Sequence, residues 1–187
     1  KSFCRDKTQA QAYDKFREDY RNKLEQDHIR SCTPLILKGL IMNKLSSIEK
    51  NLNILLPQSY KNTLDKFKLF MEIEFKDYEI DLFNNNLLFE ELNSFPNWNY
   101  MEYLVEINKK KQKAENIVQR HDSTEFVDSE CVKKGFMFGS SSDGGCLYFD
   151  LDDNLSIWEY WLDDGSIGKV ADSFDEILEC GQIIDFE

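Results

Sequence analysis

The segment 135–178 begins with Gly135-Phe136-Met137-Phe138-Gly139 and continues through a loop that contains Asp143-Gly144-Gly145. Two aromatic-rich runs, 146–150 and 156–161, then flank an acidic turn, and the segment ends in a capping box, Ser173-Phe174-Asp175-Glu176. Strand-forming runs on either side of a short polar turn predict an antiparallel hairpin. A serine followed three residues later by a glutamate predicts the start of a helix, which we expect to run through Cys180.

Further strands are predicted on both sides of this hairpin. Asp163-Asp164-Gly165 predicts a second turn, followed by a third short strand over 167–170. Upstream, the segment 70–83 is rich in strand-forming residues and predicts one or two strands before a turn at Asn84-Asn85-Asn86. The polar segment 119–130 predicts a loop.

Helices are predicted from cap signals and from the spacing of apolar residues. Ser46-Ser47-Ile48-Glu49 forms a capping box, and Pro57 suits the first turn of the next helix, whose buried stripe includes Tyr60. A third helix is predicted over 98–113. The predicted fold class is therefore α+β, a mostly antiparallel twisted sheet with helices packed against it.

Residues 8–30 predict an amphipathic helix that precedes this domain. Tyr13, Phe16, Tyr20 and Leu24 recur at helical spacing, and the other positions are mostly charged. Such a helix either packs on its own domain or docks a partner or a second copy of the chain. We expect an N-terminal helical extension over 1–44 and a main domain over 45–187.

The charge of the chain is unevenly distributed. The net charge is −12, yet residues 121–187 hold 17 acidic and three basic residues, a net −14. A field of this sign repels nucleic acid and anionic lipid and attracts a basic partner. The alternative is a solvated acidic face that aids solubility.

No catalytic, cofactor-binding or metal-binding residue is predicted. The five cysteines are scattered, without a C-x-x-C pair, and the two histidines lie in no motif. The carboxylates of 150–154 alternate as in a calcium loop, but Leu155 stands where such a loop needs glycine and Trp161 where it needs glutamate. Scattered thiols, with no apolar run of membrane-spanning length and no signal peptide, favour a cytoplasmic protein.

Aromatic and acidic residues are concentrated in the hairpin region. Rings beside carboxylates could receive the arginine and lysine side chains of a basic protein. The alternative is that the rings belong to the core and the acids to solvated turns. The candidate partner-binding residues are Asp143, Asp150, Asp152, Asp153, Trp158, Tyr160, Trp161, Asp163 and Asp164.

Several of these motifs occur in an order that resembles one protein family. From about Leu45 to Leu178 the chain resembles the SUKH superfamily, which includes bacterial toxin-immunity proteins and fungal cell-wall-synthesis regulators. The resemblance rests on Ile48-Glu49, Leu55-Leu56-Pro57 with Tyr60, Gly135 to Gly139, Asp143-Gly144-Gly145, Tyr148 to Leu151, Ile157-Trp158-Glu159, and Val170 to Leu178.

The resemblance implies a non-enzymatic α+β binding domain over 45–187, without a cofactor. We expect an immunity protein that binds and neutralises a cognate basic toxin, with nucleases and deaminases as the expected toxin classes. The acidic C-terminal third suits that partner. A regulatory scaffold or adaptor of the fungal or viral type, or a small enzyme with an unrecognised site, are the alternatives.

Overall fold

The computed structural model describes residues 44–68, 71–112, 116–121 and 123–186. The amphipathic helix predicted over 8–30 lies outside these ranges. The chain divides after Leu56 into two compact units. Within the ranges given, no helix has both the length and the apolar composition needed to cross a membrane.

The first unit is described from residue 44 onward and contains one helix, α1, over 44–52. Asn53 follows with a φ of 54°, a left-handed conformation that commonly ends helices. The capping box predicted at Ser46 is wrong, because the helix already includes residue 44. The carboxylate of Glu49 instead accepts a hydrogen bond from the backbone N–H of Leu56, at 2.8 Å.

The second unit begins at Pro57 and contains short helices and strands in alternation. Its helices are α2 (Gln58–Leu64), α3 (Asn85–Phe89), α4 (Tyr100–Gln112), α5 (Ser129–Lys133) and α6 (Phe174–Cys180), with a 3-10 turn at Asn97–Asn99. Its strands are β1 (Met71–Phe75), β2 (Tyr78–Leu82), β3 (Glu91–Leu92), β4 (Phe95–Pro96), β5 (Ile117–Gln119), β6 (Phe126–Asp128), β7 (Phe136–Ser141), β8 (Cys146–Asp150), β9 (Ser156–Tyr160), β10 (Ile167–Ala171) and β11 (Gln182–Phe186).

Seven of these strands form one sheet in the order β10-β9-β8-β7-β2-β1-β11, and every neighbouring pair is antiparallel. The predicted fold class is confirmed, since the structure is a curled antiparallel sheet with helices packed against it. The predicted hairpin joins β8 to β9, and the third strand of that prediction is β10.

Three further segments differ from the sequence-based prediction. The turn predicted at Asn84-Asn85-Asn86 is instead the N-cap and the first residues of α3. The segment 119–130 was expected to be a loop, but it holds the end of β5, all of β6 and the start of α5. The backbone of this segment pairs as a hairpin with Val118 opposite Val127, and Arg120 forms a bridge to Ile167 at the edge of β10. The edge strand β11 was not predicted at all, although it pairs with β1 along its length.

The core is centred on the ring of Tyr60, which α2 places against the sheet. The apolar run that opens β7 and the aromatic residue that opens α6 converge on this ring. Its edge-on contacts, with ring centroids 5.2 to 6.2 Å apart, are to Phe136, Phe138, Phe149 and Phe174. Every residue of β7 and β9 is buried, including the polar Ser140, Ser141, Ser156 and Glu159.

The start of α6 follows the predicted capping box with one difference. The hydroxyl of Ser173 accepts a hydrogen bond from the backbone N–H of Glu176 at 3.1 Å, as predicted. The Glu176 carboxylate reaches the N–H of Asp172, one residue before the cap, and also pairs with Lys76 at 2.9 Å. The cap thereby ties α6 to the turn between β1 and β2.

Candidate partner-binding surface

Strand register brings two acidic turns to the same end of the sheet. Cys146 lies opposite Ser140 on one side and Tyr160 on the other, and Tyr160 lies opposite Ile167. The turns 142–145 and 161–166 therefore lie close together, and we name them the acidic turn end. It carries four of the predicted residues, the carboxylates Asp143, Asp163 and Asp164 and the ring of Trp161.

The remaining predicted carboxylates lie elsewhere. Asp150, Asp152 and Asp153 belong to the connection between β8 and β9, at the far end of the same strands. A five-residue strand separates the two groups by about 16 Å at its usual rise per residue. The structure thus splits the six predicted carboxylates into two groups of three.

At the acidic turn end, all three aspartates are exposed. The carboxylate of Asp163 accepts from the N–H of Asp164 at 2.9 Å. The carboxylate of Asp164 accepts from the backbone N–H and the hydroxyl of Ser166, at 2.8 and 2.7 Å. In the part of the chain that the structure describes, neither Asp143 nor Asp163 has an ion pair. The carboxylates of Asp143 and Asp163 are therefore available to pair with a cation of another molecule.

At the far end, the carboxylates already have partners. Asp152 pairs with Lys134 at 3.4 Å and Asp153 with Lys169 at 3.1 Å. A hydrogen bond from Ser156, and then the ion pair with Lys169, lower the pKa of Asp153. Partial burial raises the pKa of Asp150. These groups are less suited to receive a new cation than the acidic turn end.

Two of the three predicted rings are not accessible. Trp158 is 5% exposed and Tyr160 1%, which agrees with the alternative that these rings belong to the core. Period-two alternation places both on one face of β9, and that face is covered. The guanidinium of Arg120 lies 5.1 Å from the ring centroid of Trp158, and the hydroxyl of Tyr160 accepts from the side chain of Asn108 at 2.6 Å.

The third ring, Trp161, is half-buried at the acidic turn end. It stacks on the exposed His121, with ring centroids 4.3 Å apart and planes inclined by 30°. His121 borders an open groove of about 450 Å³. The residues that line this groove are Gln119, Arg120, His121, Ser123, Thr124, Asp164 and Ser166. No sequence pattern indicated this groove, because it depends on the unpredicted β5–β6 hairpin.

The groove brings a serine, a histidine and an aspartate together, but not as a catalytic triad. The hydroxyl of Ser166 donates to Asp164 and lies 3.5 Å from Nδ1 of His121. In a triad the histidine lies between the acid and the serine and accepts the serine proton. Here the serine lies between the other two, so this geometry does not activate its hydroxyl as a nucleophile.

Sequence analysis missed one buried carboxylate next to this surface, Glu159 of β9. It is 1% exposed, and the hydroxyl of Ser141 donates a hydrogen bond to it. The same hydroxyl accepts from the backbone N–H of Gly145 at 3.0 Å. Burial raises the pKa of Glu159, and the nearby Asp143 acts in the same direction. The sequence pattern does separate Glu159 from the two rings, because alternation along β9 puts position 159 on the face opposite Trp158 and Tyr160.

The described ranges contain no group of three or more His, Cys, Asp or Glu side chains that could hold a metal ion. Cys146 is buried beside Tyr160, and burial raises the pKa of its thiol, which makes it a poor nucleophile. What the surface offers is charge, one half-buried ring and hydrogen-bonding groups. These are the groups that hold a cationic side chain.

Comparisons with known proteins place this architecture in a family. Neither a search of curated proteins nor a search of solved structures finds a significant match. A scan against protein families matches residues 42–180 to the SMI1 / KNR4 family (SUKH-1). That match covers most of the chain and confirms the predicted resemblance to the SUKH superfamily. The chain belongs to the SMI1 / KNR4 family (SUKH-1).

Proposed function

We propose that this protein is a non-enzymatic immunity protein, which binds and neutralises a cognate basic toxin in the cytoplasm. Membership of the SMI1 / KNR4 family is consistent with an immunity protein or a regulator. The charge of the chain favours the first, because residues 121–187 carry a net −14. An acidic surface of this strength suits a partner that itself binds nucleic acid, such as a nuclease or a nucleic-acid deaminase.

One observation carries the proposal, the state of the carboxylates at the acidic turn end. Asp143 and Asp163 are exposed and, within the described ranges, have no ion pair, whereas the three lysines of residues 121–187 are all paired elsewhere. Lys133 pairs with Glu106 and Glu130, and the other two pair at the far end of the sheet. These three lysines therefore leave the carboxylates of Asp143 and Asp163 free for the cations of a partner.

Neutralisation would follow from charge and geometry. A toxin that acts on nucleic acid needs a positively charged cleft to hold the phosphates. Insertion of the acidic turn end into that cleft would match its charge and exclude the nucleic acid. Trp161 adds a half-buried ring against which an arginine could stack.

The test is co-purification with the toxin encoded beside the gene, followed by an assay of toxin activity. We expect a complex that inhibits the toxin. The double variant Asp143→Asn/Asp163→Asn should weaken it by about tenfold, mainly through slower association, because rim charges steer encounter. The matched control, Asp175→Asn/Glu179→Gln, makes the same charge change on the exposed side of α6.

The two variants separate a local site from a general effect of charge. Equal weakening in both would show that net charge alone drives binding and would remove the acidic turn end as the contact. Full toxin activity in the presence of the wild-type protein would reject the immunity function itself.

A further inference from the structure

The two edges of the seven-stranded sheet differ in how the chain covers them. At β10, the backbone N–H of His121 donates to the carbonyl oxygen of Ile167 at 2.7 Å, so the β5–β6 hairpin continues along that edge. At the opposite edge, β11 pairs with β1 on one side, and no described residue pairs with its other side. An edge strand presents unpaired N–H and C=O groups that can bind another strand. Within the described part of the chain, the outer side of β11 is therefore available for pairing.

The side chains of β11 add an apolar contact to this edge. Ile183 is 51% exposed and Ile184 46%. Ile183 lies opposite Ile73, whereas Ile184 has no opposite residue on β1, because the register shifts between Glu72 and Ile73. Such a bulge explains how two successive isoleucines are both exposed. The strand also contains neither proline nor lysine, the residues that commonly protect an exposed edge.

The strands beside this edge are acidic on the face opposite the core. Across β1 and β2, Glu72 lies opposite Asp81 and Glu74 lies opposite Glu79. Like charges directly opposite each other destabilise a sheet. Together β1, β2 and β11 hold five acidic residues and no lysine or arginine. A neighbouring strand with basic residues would relieve this repulsion, and an acidic one would add to it.

Two properties disfavour a second copy of this chain as the neighbour of β11. Pairing of two β11 edges would bring together two chains that each carry a net charge of −12. The bulge at Ile184 also twists the edge, so that two fixed edges of this shape match poorly. An extended peptide can follow a twisted edge. Charge and shape thus both favour a basic, extended segment.

We propose that the free edge of β11 binds an extended basic segment of a protein partner, which adds an eighth strand to the sheet. Strand register fixes the pattern of this segment, because residues opposite each other on neighbouring strands share a face. Positions beside Gln182 share the face of Glu74, and we expect lysine or arginine there. Positions beside Ile183 share the face of Ile73, and we expect valine or isoleucine there. The inference goes beyond the immunity function, since such an edge accepts a segment of this pattern from any protein.

The probe is the capped peptide Arg-Val-Arg-Val-Arg, added to the full chain at low salt. One control replaces arginine by citrulline and so removes the charge. The other, Arg-Pro-Arg-Pro-Arg, keeps the charge but lacks the N–H groups that a strand needs. Amide chemical shifts and hydrogen exchange are followed by NMR. With the first peptide alone, we expect saturable shifts at Gln182–Ile184 and slower exchange of the outward-facing amides of β11.

One pair of variants tests the contribution of charge. Glu74→Gln/Glu79→Gln should weaken binding of Arg-Val-Arg-Val-Arg by about threefold. The effect is modest because Glu74 lies two strand spacings from the added strand, about 10 Å, where salt screens part of the attraction. The matched control, Asp175→Asn/Glu179→Gln, removes the same charge from the exposed side of α6 and should change binding less than about twofold.

A second pair tests the edge itself. Ile183→Lys places on β11 a residue that protects edges and repels a basic strand, so we expect binding to weaken by at least about tenfold. Thr124→Lys adds the same charge at an exposed position beside the opposite edge of the sheet, and should change binding less than about twofold. If Ile183→Lys fails to fold, the peptide controls and the glutamate variants decide.

Three results would overturn the inference. Equal binding of Arg-Pro-Arg-Pro-Arg, or shifts at Gly144 in place of β11, would mean that charge alone attracts the peptide. Slow exchange of the outward-facing β11 amides in the free monomer would mean that the chain itself covers this edge. The same protection in a dimer, detected by sedimentation, would mean that a second copy occupies it. None of these results changes the toxin assay, so this inference and the immunity function fail separately.

Discussion

The ring and the hydroxyl of Tyr60 have opposite effects on the stability of the folded protein. Its ring contacts four phenylalanine rings, and its hydroxyl is buried without a hydrogen-bond partner in the described part of the chain. Burial raises the pKa of this hydroxyl, so the group stays neutral. A buried donor without an acceptor destabilises the folded state. The ring stabilises the fold, and the hydroxyl does not.

Two substitutions at Tyr60 separate these contributions. Tyr60→Phe keeps the ring and removes the unpaired hydroxyl, so we expect the free energy of unfolding to stay level or to rise by about 1 kcal/mol. Tyr60→Ala removes the ring and should lower it by about 3–5 kcal/mol. Urea denaturation followed by circular dichroism measures both. A clear loss of stability in Tyr60→Phe would mean that the hydroxyl has a partner in solution.

Single residues also show where sequence reasoning stops. Alternation along β9 correctly groups Trp158 with Tyr160 and separates them from Glu159. It does not tell that both faces are covered, because the cover over Trp158 and Tyr160 comes from Arg120 and Asn108, which lie far away in sequence. The acidic turns could be predicted as turns, since their glycines and aspartates act locally. Their position at one end of the sheet required the strand register.

At the scale of elements, local signals predicted best. The α6 cap and the β8–β9 hairpin were found because each is encoded within a few neighbouring residues. The β5–β6 hairpin was missed because its strands have three residues each, too few for a pattern. The edge strand β11 was missed because its partner, β1, lies about a hundred residues earlier in the chain.

The α6 cap offers a direct test of how much a local signal contributes. Ser173→Ala removes the oxygen that accepts from the N–H of Glu176, so we expect a loss of about 1 kcal/mol in the free energy of unfolding. Thermal or urea denaturation measures it. Ser142→Ala, at an exposed position in the β7–β8 turn, is the matched control and should change little. Equal effects of the two would show that the cap bond is not formed in solution.

At the scale of the whole molecule, charge acts on stability and on binding in opposite ways. The net charge of −12 repels itself, and residues 121–187 concentrate this repulsion. The ion pairs of Lys134 and Lys169 join partly exposed side chains, and exposed pairs contribute little to stability. Screening by salt therefore removes more repulsion than attraction within the folded protein. It also removes attraction to any basic partner.

This balance predicts two salt effects of opposite sign. Raising NaCl from about 10 to about 200 mM, which shortens the screening length severalfold, should raise the Tm of the free protein by a few degrees. The same change should weaken the complex with the basic toxin, mainly through slower association. In Asp143→Asn/Asp163→Asn both responses should be smaller, because that variant removes repulsion and attraction at the same surface. If the Tm falls as salt is added, ion pairs outweigh self-repulsion in the folded protein. If the affinity of the complex does not change with salt, apolar contacts rather than the acidic turn end hold the partner.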